Sequence, residues 1–404
     1  MEVYVARQPI LGKNRTTYGY ELLFRGGMTN AFPDIDGDTA TSSVLSNSFF
    51  SIGMEQIIGG KKALINFTQE LLVKKVPMIF PNKKIVVEVL EDVEPAEDVI
   101  AACKRIKDGG FDLALDDFFY KSGMEPLIEL AKIIKIDFMA TPIDEIREMV
   151  NQLSKYGVIF LAEKVETYEE FRQAVDMGFE YFQGYFFSRP EIMKGKDVSP
   201  SKLTLMQIVA EANKPDFSFD KLEKLISQDV SISYKLLRYI NSAYFRRLQE
   251  ISSIKRAIAM LGEREVRRFI SLMGLAKLAD DKPDELIRAS VIKARLCELI
   301  GKNSANKVDA SELFTLGLFS CIDAIMDDSM EHLMGNLPLS ENIKSALLGK
   351  DGKLSDFINL ARSYESGDWE GMQQKAKNVG IEDEKIPELY LDAVGWADTL
   401  ANFQ

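Results

Sequence analysis

The residues of this sequence best suited to chemistry are carboxylates, amides and one lysine, set at or near the ends of short apolar runs. Asp116 and Asp117 stand side by side at the end of DLALDD, and Phe118, Phe119 and Tyr120 follow at once. Glu21 lies in YGYELLF, Asn66 in ALINFT, Glu88 and Glu91 in IVVEVLE, Lys135 and Asp137 in IIKID, Glu163 in VIFLAEK and Gln183 in YFQG. Oxygen donors without histidine or cysteine suit hard cations such as Mg²⁺ or Mn²⁺. Two such ions bridged by adjacent carboxylates would suit hydrolysis of a phosphodiester: one activates water, the other neutralises the leaving oxygen and the phosphate. Lys135 would orient the water or balance charge.

Parity supports a shared centre. Successive residues of a strand point to opposite faces. Glu88 therefore shares a face with Val86, Asp116 with Ala114 and Glu163 with Leu161. A charge within such apolar runs is costly unless it is paired or bound to a metal. One such carboxylate alone reads as a buried salt bridge. Polar residues at the ends of seven runs read as a common site.

Other chemistries are excluded by composition. The only histidine, His332, lies in the polar stretch DSMEHLMGN and is expected at the surface. With no second imidazole, histidine-rich metal sites and Ser-His-Asp or Cys-His catalysis built on another histidine are out of reach. The three cysteines, Cys103, Cys297 and Cys321, are scattered and read as reduced core residues of a cytoplasmic protein. The net charge of −12 argues against a nucleic acid polymer or an anionic membrane as partner. A small anionic ligand held through metal ions remains compatible with it. The N-terminus, MEVYVARQPI, lacks a signal pattern, and no apolar run approaches the roughly 20 residues of a membrane helix.

The elements that must position these residues follow from the hydrophobic pattern. Eight strand-like runs, from VYVARQPI to YFQGYFF, alternate with amphipathic stretches such as EPAEDVIAACKRIKDG and TYEEFRQAVDMG, each closed by glycine. The alternation predicts a TIM-like β/α barrel over residues 1–198, with an open doubly wound sheet as the alternative. In such a barrel the chemistry sits at the C-terminal ends of the strands. FSRPEIMKGKDVSPSK breaks the pattern, and apolar residues then recur at three- and four-residue spacing. Residues 199–404 are expected to form an all-helical domain, making the fold class α/β plus all-α.

The first half resembles an EAL domain, the barrel that binds and hydrolyses cyclic di-GMP. ELLFR stands where the family has its Glu-Ala-Leu signature, followed by INF, VEVLED, LDDF, KID, AEKVET and QGYFFSRP, in order and suitably spaced. Each motif is weak alone, and together they are specific. The resemblance implies Glu21, Asn66, Glu88, Asp116 and Asp117 as metal ligands, with Mg²⁺ or Mn²⁺ in a two-metal site. It implies Glu21, Lys135 and Glu163 as catalytic residues, the last two supporting the metals and the attacking water. Arg25 and Gln183 would bind substrate, and Glu91 would brace the loop after Asp117. Family barrels often pair, so a homodimer enters as an expected partner. The second half is similar to the HDOD domain, carried by DVSISYKLLRYINSAYF and ISSIKRAIAMLGEREVRRF, including Asn241, Ser242, Ile254 and Leu261-Gly262. Where a metal-dependent relative would carry His-Asp, this chain reads GLFSCID at 317–323. The helical domain is therefore expected to be an interaction module for a protein partner.

The chain departs from the EAL pattern at named positions. The signature is Glu-Leu-Leu, the loop after the double aspartate is FFYKSGMEP, and Phe119 and Lys164 each replace a family glycine. These changes bear on turnover more than on ligand binding. Two main readings follow: a metal-dependent phosphodiesterase that opens cyclic di-GMP to linear pGpG, or an inactive sensor or scaffold acting through protein contacts. An unrelated barrel enzyme is a third, since common folds host many chemistries.

Overall fold

A computed structural model describes residues 5–24, 55–121, 123–189, 236–237, 239–240, 251, 253–279, 282–337 and 339–401. Arg25, Asn241, Ser242 and the expected domain boundary at 198 lie outside these residues. The chain divides into two compact units. One is Met1–Phe187 with Arg362–Met372, and the other is Ser188–Ala361 with Gln373–Gln404.

The first unit is a closed barrel in the order β1 to β8. Its strands are β1 Val5–Gly12, β2 Thr17–Phe24, β3 Lys62–Phe67, β4 Ile85–Val89, β5 Asp112–Leu115, β6 Ile133–Asp137, β7 Ile159–Glu163 and β8 Tyr181–Gln183. From β2 to β8 neighbouring strands are parallel. β1 runs antiparallel to both β2 and β8, a departure from the all-parallel barrel that the sequence suggested. The reason is the link between β1 and β2, which is too short for a crossover. Gly12 and Thr16 close it, with Arg15 in the left-handed region at φ 61° and Asn14 Oδ1 accepting from Thr16 Oγ1 at 2.7 Å.

Inside the barrel, Ile10, Leu64, Val86, Ala114, Ile133 and Leu161 form one fully buried layer. Five of these stand two residues before a site residue: Leu64 before Asn66, Val86 before Glu88, Ala114 before Asp116, Ile133 before Lys135 and Leu161 before Glu163. The period-2 pleat thus seats the polar residues directly above an apolar floor. Tyr18 and Tyr181 stack at 4.0 Å against that floor.

The first unit's helices are α1 Glu55–Ile58, α2 Gln69–Val73, α3 Glu97–Asp108, α4 Glu125–Leu130, α5 Ile143–Leu153 and α6 Tyr168–Asp176. α3 buries Val99, Ala102, Cys103 and Ile106, and carries Glu97 and Asp98 at its start and Arg105 and Lys107 at its end, as the helix dipole favours. α6 opens on a capping box between Thr167 and Glu170. Gly110 (φ 85°) and Gly178 (φ 95°) turn the chain out of these two helices into the next strands.

The second unit is helical over its described residues: α7 Ile254–Leu278, α8 Asp284–Asn303, α9 Ala310–Leu318, α10 Ile322–Met326, α11 Met330–Asn336 and α12 Glu341–Leu347. α13 Ser355–Glu365, α14 Trp369–Val379 and α15 Ile386–Ala401 follow, with the end of α13 and the start of α14, within Arg362–Met372, grouped with the first unit. The periodic stretch around AIAMLGEREV is not one straight helix, because Gly262 breaks α7 with φ 75° and ψ 166°. α8 is the buried centre of the unit. α9 lies so close to it that a Cβ on Gly317 would meet the Lys293 carbonyl at 2.5 Å. At the start of segment 317–323 the backbone of Gly317 thus packs against that of α8, and Cys321 is buried in the same segment. His332 is exposed, as expected, with Nδ1 2.5 Å from Asp328. Among the described residues, no helix is long and apolar enough to cross a membrane.

Candidate active site

The polar residues that the strands raise above the apolar floor meet at one mouth of the barrel. Lys135, fully buried, is their centre. Its Nζ lies 2.6 Å from Asp116 Oδ1, 2.8 Å from Glu88 Oε1, 2.9 Å from Glu163 Oε1 and 3.5 Å from Glu21 Oε2. Each acid comes from a different strand or strand end, so the cluster exists only once the barrel closes. Glu21 is also held by amides: Asn66 Nδ2 donates to its Oε1 at 3.1 Å and Gln183 Nε2 to its Oε2 at 2.6 Å.

Gln8, not among the expected site residues, accepts from Gln183 Nε2 at 2.9 Å. It reaches the site because antiparallel β1 sets Gln8 opposite Glu21. Gln183 is placed by the glycine after it: a Cβ on Gly184 would sit 2.1 Å from the Val165 carbonyl oxygen, so only glycine lets β8 pass there.

The loop after β5 accommodates its aromatics. Asp116 N donates to Val89 O and Phe118 N to Lys135 O, each at 2.9 Å, which extends strand pairing past the double aspartate. Phe118 is buried, whereas Phe119 and Tyr120 are largely exposed. The left-handed residue is Asp117 (φ 36°), so a side chain at position 119 meets no positive-φ demand. Glu125 braces this loop, accepting from Tyr120 Oη at 2.8 Å and from Gly123 N at 2.9 Å. Glu91, expected in that role, is exposed at the rim of the cavity and makes no hydrogen bond or ion pair among the described residues.

Beside this cluster, Lys164 Nζ lies 2.5 Å from Asp137 Oδ2 and 3.5 Å from Asp117 Oδ2. Asp137 Oδ1 accepts from the amides of Met139 at 2.7 Å and Ala140 at 3.0 Å. Lys164 and Asp137 are functional candidates that the site assignment from sequence left out. For Lys164 the signal was present, since it replaces a family glycine.

Electrostatically the mouth has too much acid. Four carboxylates share the charge of Lys135. Burial pushes Glu88 and Glu163 well above the usual carboxylate range; Lys135 opposes the shift, and acidic neighbours add to it. Burial alone would strip the proton from Lys135, but Asp116, Glu163, Glu21 and Glu88 more than offset that and hold its ammonium charged. Burial and Asp116 likewise raise Asp117.

Five buried oxygens at the mouth accept no hydrogen bond: Asn66 Oδ1, Glu88 Oε2, Asp117 Oδ1, Glu163 Oε2 and Gln183 Oε1. Acceptors left dry in this way cost free energy unless a cation or water meets them. All are oxygen, the donor set that hard divalent cations take. The residues therefore fit such an ion chemically. Among the described residues no trio of acidic, histidine or cysteine side chains forms a ready-made metal cage; the acids converge instead on Lys135. An open cavity of about 540 Å³ lies over the cluster, lined by Glu21, Asn66, Asp116, Asp117, Glu163 and Gln183 among others.

Comparison with known proteins identifies the two domains. A profile of the EAL domain matches residues 60–190, and one of the HDOD domain matches residues 200–333. The chain is 38% identical over 400 residues to the cyclic di-GMP phosphodiesterase CdgJ of Vibrio cholerae, covering 98% of this chain and 93% of that protein. It is 36% identical over 408 residues to the uncharacterized protein YuxH of Bacillus subtilis, covering 99% of both. Among solved structures, a calcium and cyclic di-GMP complex of BlrP1 from Klebsiella pneumoniae is similar to 47% of this chain and 56% of its own, at 22% identity and a TM-score of 0.38.

Proposed function

The chain belongs to the family of proteins that join an EAL domain to an HDOD domain, and from that membership we propose that its barrel is a cyclic di-GMP phosphodiesterase dependent on a divalent cation. The observation that carries this reading is the set of five buried, donorless oxygens at the mouth of a barrel whose full-length relative is named for this activity. Glu21, Asn66, Glu88 and Asp116 would hold the cation, Mg²⁺ or Mn²⁺, and Asp117 is the further acidic donor at the mouth, beside Lys164. When bound, the cation supplies charge neutralisation for the phosphate and acidifies water.

The chain's own residues do the rest. Glu163 takes a proton from the attacking water in this reading, supported by the 2.9 Å pair with Lys135 that holds Glu163 at the mouth. The oxygen of the water joins phosphorus, the bond from phosphorus to one ribose oxygen breaks, that oxygen takes up a proton from solvent and leaves as a hydroxyl, and Glu163 returns its proton to solvent. The product is linear pGpG. Gln183, donating to both Glu21 and Gln8, holds Glu21 at the mouth, and Arg25, outside the described residues, would bind a phosphate. The helical unit acts as an interaction module for a protein partner. Three free cysteines, all buried, accord with a reducing, cytoplasmic setting.

The experiment is incubation of the full chain with cyclic di-GMP and Mg²⁺ or Mn²⁺, following binding and linear product together. Product that disappears in Glu21→Ala supports the enzyme. Binding without product marks the barrel as a sensor, and no binding leaves a protein scaffold.

A further inference from the structure

Lys164 departs from the barrel pattern in two independent ways. Its backbone holds φ 53°, in the left-handed region where glycine is at ease and a lysine is disfavoured. Its side chain spans two carboxylates, with Nζ 2.5 Å from Asp137 and 3.5 Å from Asp117. Asp137 is already committed, through Lys164 on one oxygen and the amides of Met139 and Ala140 on the other. Asp117 is also left-handed (φ 36°) and keeps one buried oxygen without a donor.

We propose that the Lys164 ammonium supplies at Asp117 the positive charge that a second divalent ion would otherwise bring, so that this barrel takes one divalent cation per chain. The inference rests on reading the mouth as a cation site. The two sides of the mouth differ in what they still need. Around Lys135, four carboxylates share one ammonium and donorless oxygens remain. Around Lys164, two carboxylates share one ammonium, and Asp137 has no oxygen to spare. A divalent ion beside Asp117 would lie within a few ångströms of the half-exposed Lys164 ammonium, well inside the screening length of physiological salt, so the two would repel. Glycine at this position would leave Asp117 and Asp137 without that charge and open to an ion.

The test is the stoichiometry of Mn²⁺ bound to the metal-free full chain, by titration calorimetry and equilibrium dialysis. The native chain is expected to bind one Mn²⁺ and Lys164→Gly two, with the second site in the variant at least about tenfold tighter than any second binding in the native chain, since removing one nearby charge shifts such equilibria by this order. Lys164→Arg, which keeps the charge, should bind one. Two ions in the native chain, or one in Lys164→Gly, overturns the proposal and leaves the cation site standing. No Mn²⁺ on any of the three overturns the cation site itself. Glycine accepts the left-handed backbone; should Lys164→Gly fail to fold, Lys164→Asn, which also tolerates it, takes its place under the same criteria.

Discussion

Each unit of the chain buries one charge among opposite charges, with opposite balance. At the barrel mouth a single ammonium, Lys135, faces four carboxylates. In the helical unit a single carboxylate, Glu298, faces three cations: Arg268, Lys302 at 2.6 Å and Arg295 at 3.1 Å. The consequences diverge. Oxygens at the mouth lack donors, and Glu88 and Glu163 are pushed up by burial and acidic neighbours. Both oxygens of Glu298 are met, and although burial pushes it up, Arg268, Lys302 and Arg295 more than compensate and hold it below the usual range. Arg268 also pairs with Glu265, and Arg295 with Asp392, so the network ties α7, α8 and α15 together. A closed network of this kind serves structure. An acid surplus in a cavity leaves binding capacity unspent, which is how functional sites differ from core ion pairs.

Substitutions can break or sharpen that contrast. The largest effect is expected for Glu21→Ala, which should lower the rate of linear product formation by about 10²–10⁴, the range for a positioned catalytic group, read in single-turnover assays. Glu298→Ala strands buried cations and should cost about 3–5 kcal/mol in urea unfolding, with no rescue by Mn²⁺. Glu88→Gln removes surplus acid and should change metal-free stability by less than about 1 kcal/mol, in the stabilising direction, because three carboxylates still pair with Lys135 once Glu88 is neutral, while weakening Mn²⁺ binding. A large destabilisation by Glu88→Gln would erase the distinction between the two sites.

The smallest effect concerns pH. The carboxyl of Glu298 is lowered in the folded chain from an ordinary 4.5. Between the folded and unfolded values the unfolded chain binds more protons, so this contribution is full above 4.5 and lost as pH falls through the folded value. Stability of the native chain should therefore decline more steeply below that pH than stability of Glu298→Gln, measured by urea midpoints across acidic buffers.

Much of the barrel was legible before folding. The eight strands appear where the apolar runs stand, and Asn66, Glu88, Asp116, Lys135 and Glu163 point inward as period 2 requires. The direction of β1 was not legible, because a strand pattern carries no polarity; only the tight Gly12–Thr16 link enforces it. Phe119 drew attention as a glycine replacement, yet the left-handed residues are Asp117 and Lys164. Aspartate visits that region more readily than most residues, but sequence does not say where a loop must turn.

What the sequence alone determined is therefore local: which residues lie in strands, which face they take, and which donors exist. These follow from the pleat and from side-chain chemistry within a few residues. Closure decided the rest. It put Lys135 among acids from four other strands and set Gln8 against Gln183. It carried the Lys164 ammonium to Asp117 and Asp137. The energy of a buried charge depends on partners distant in sequence, and only the folded backbone fixes those distances.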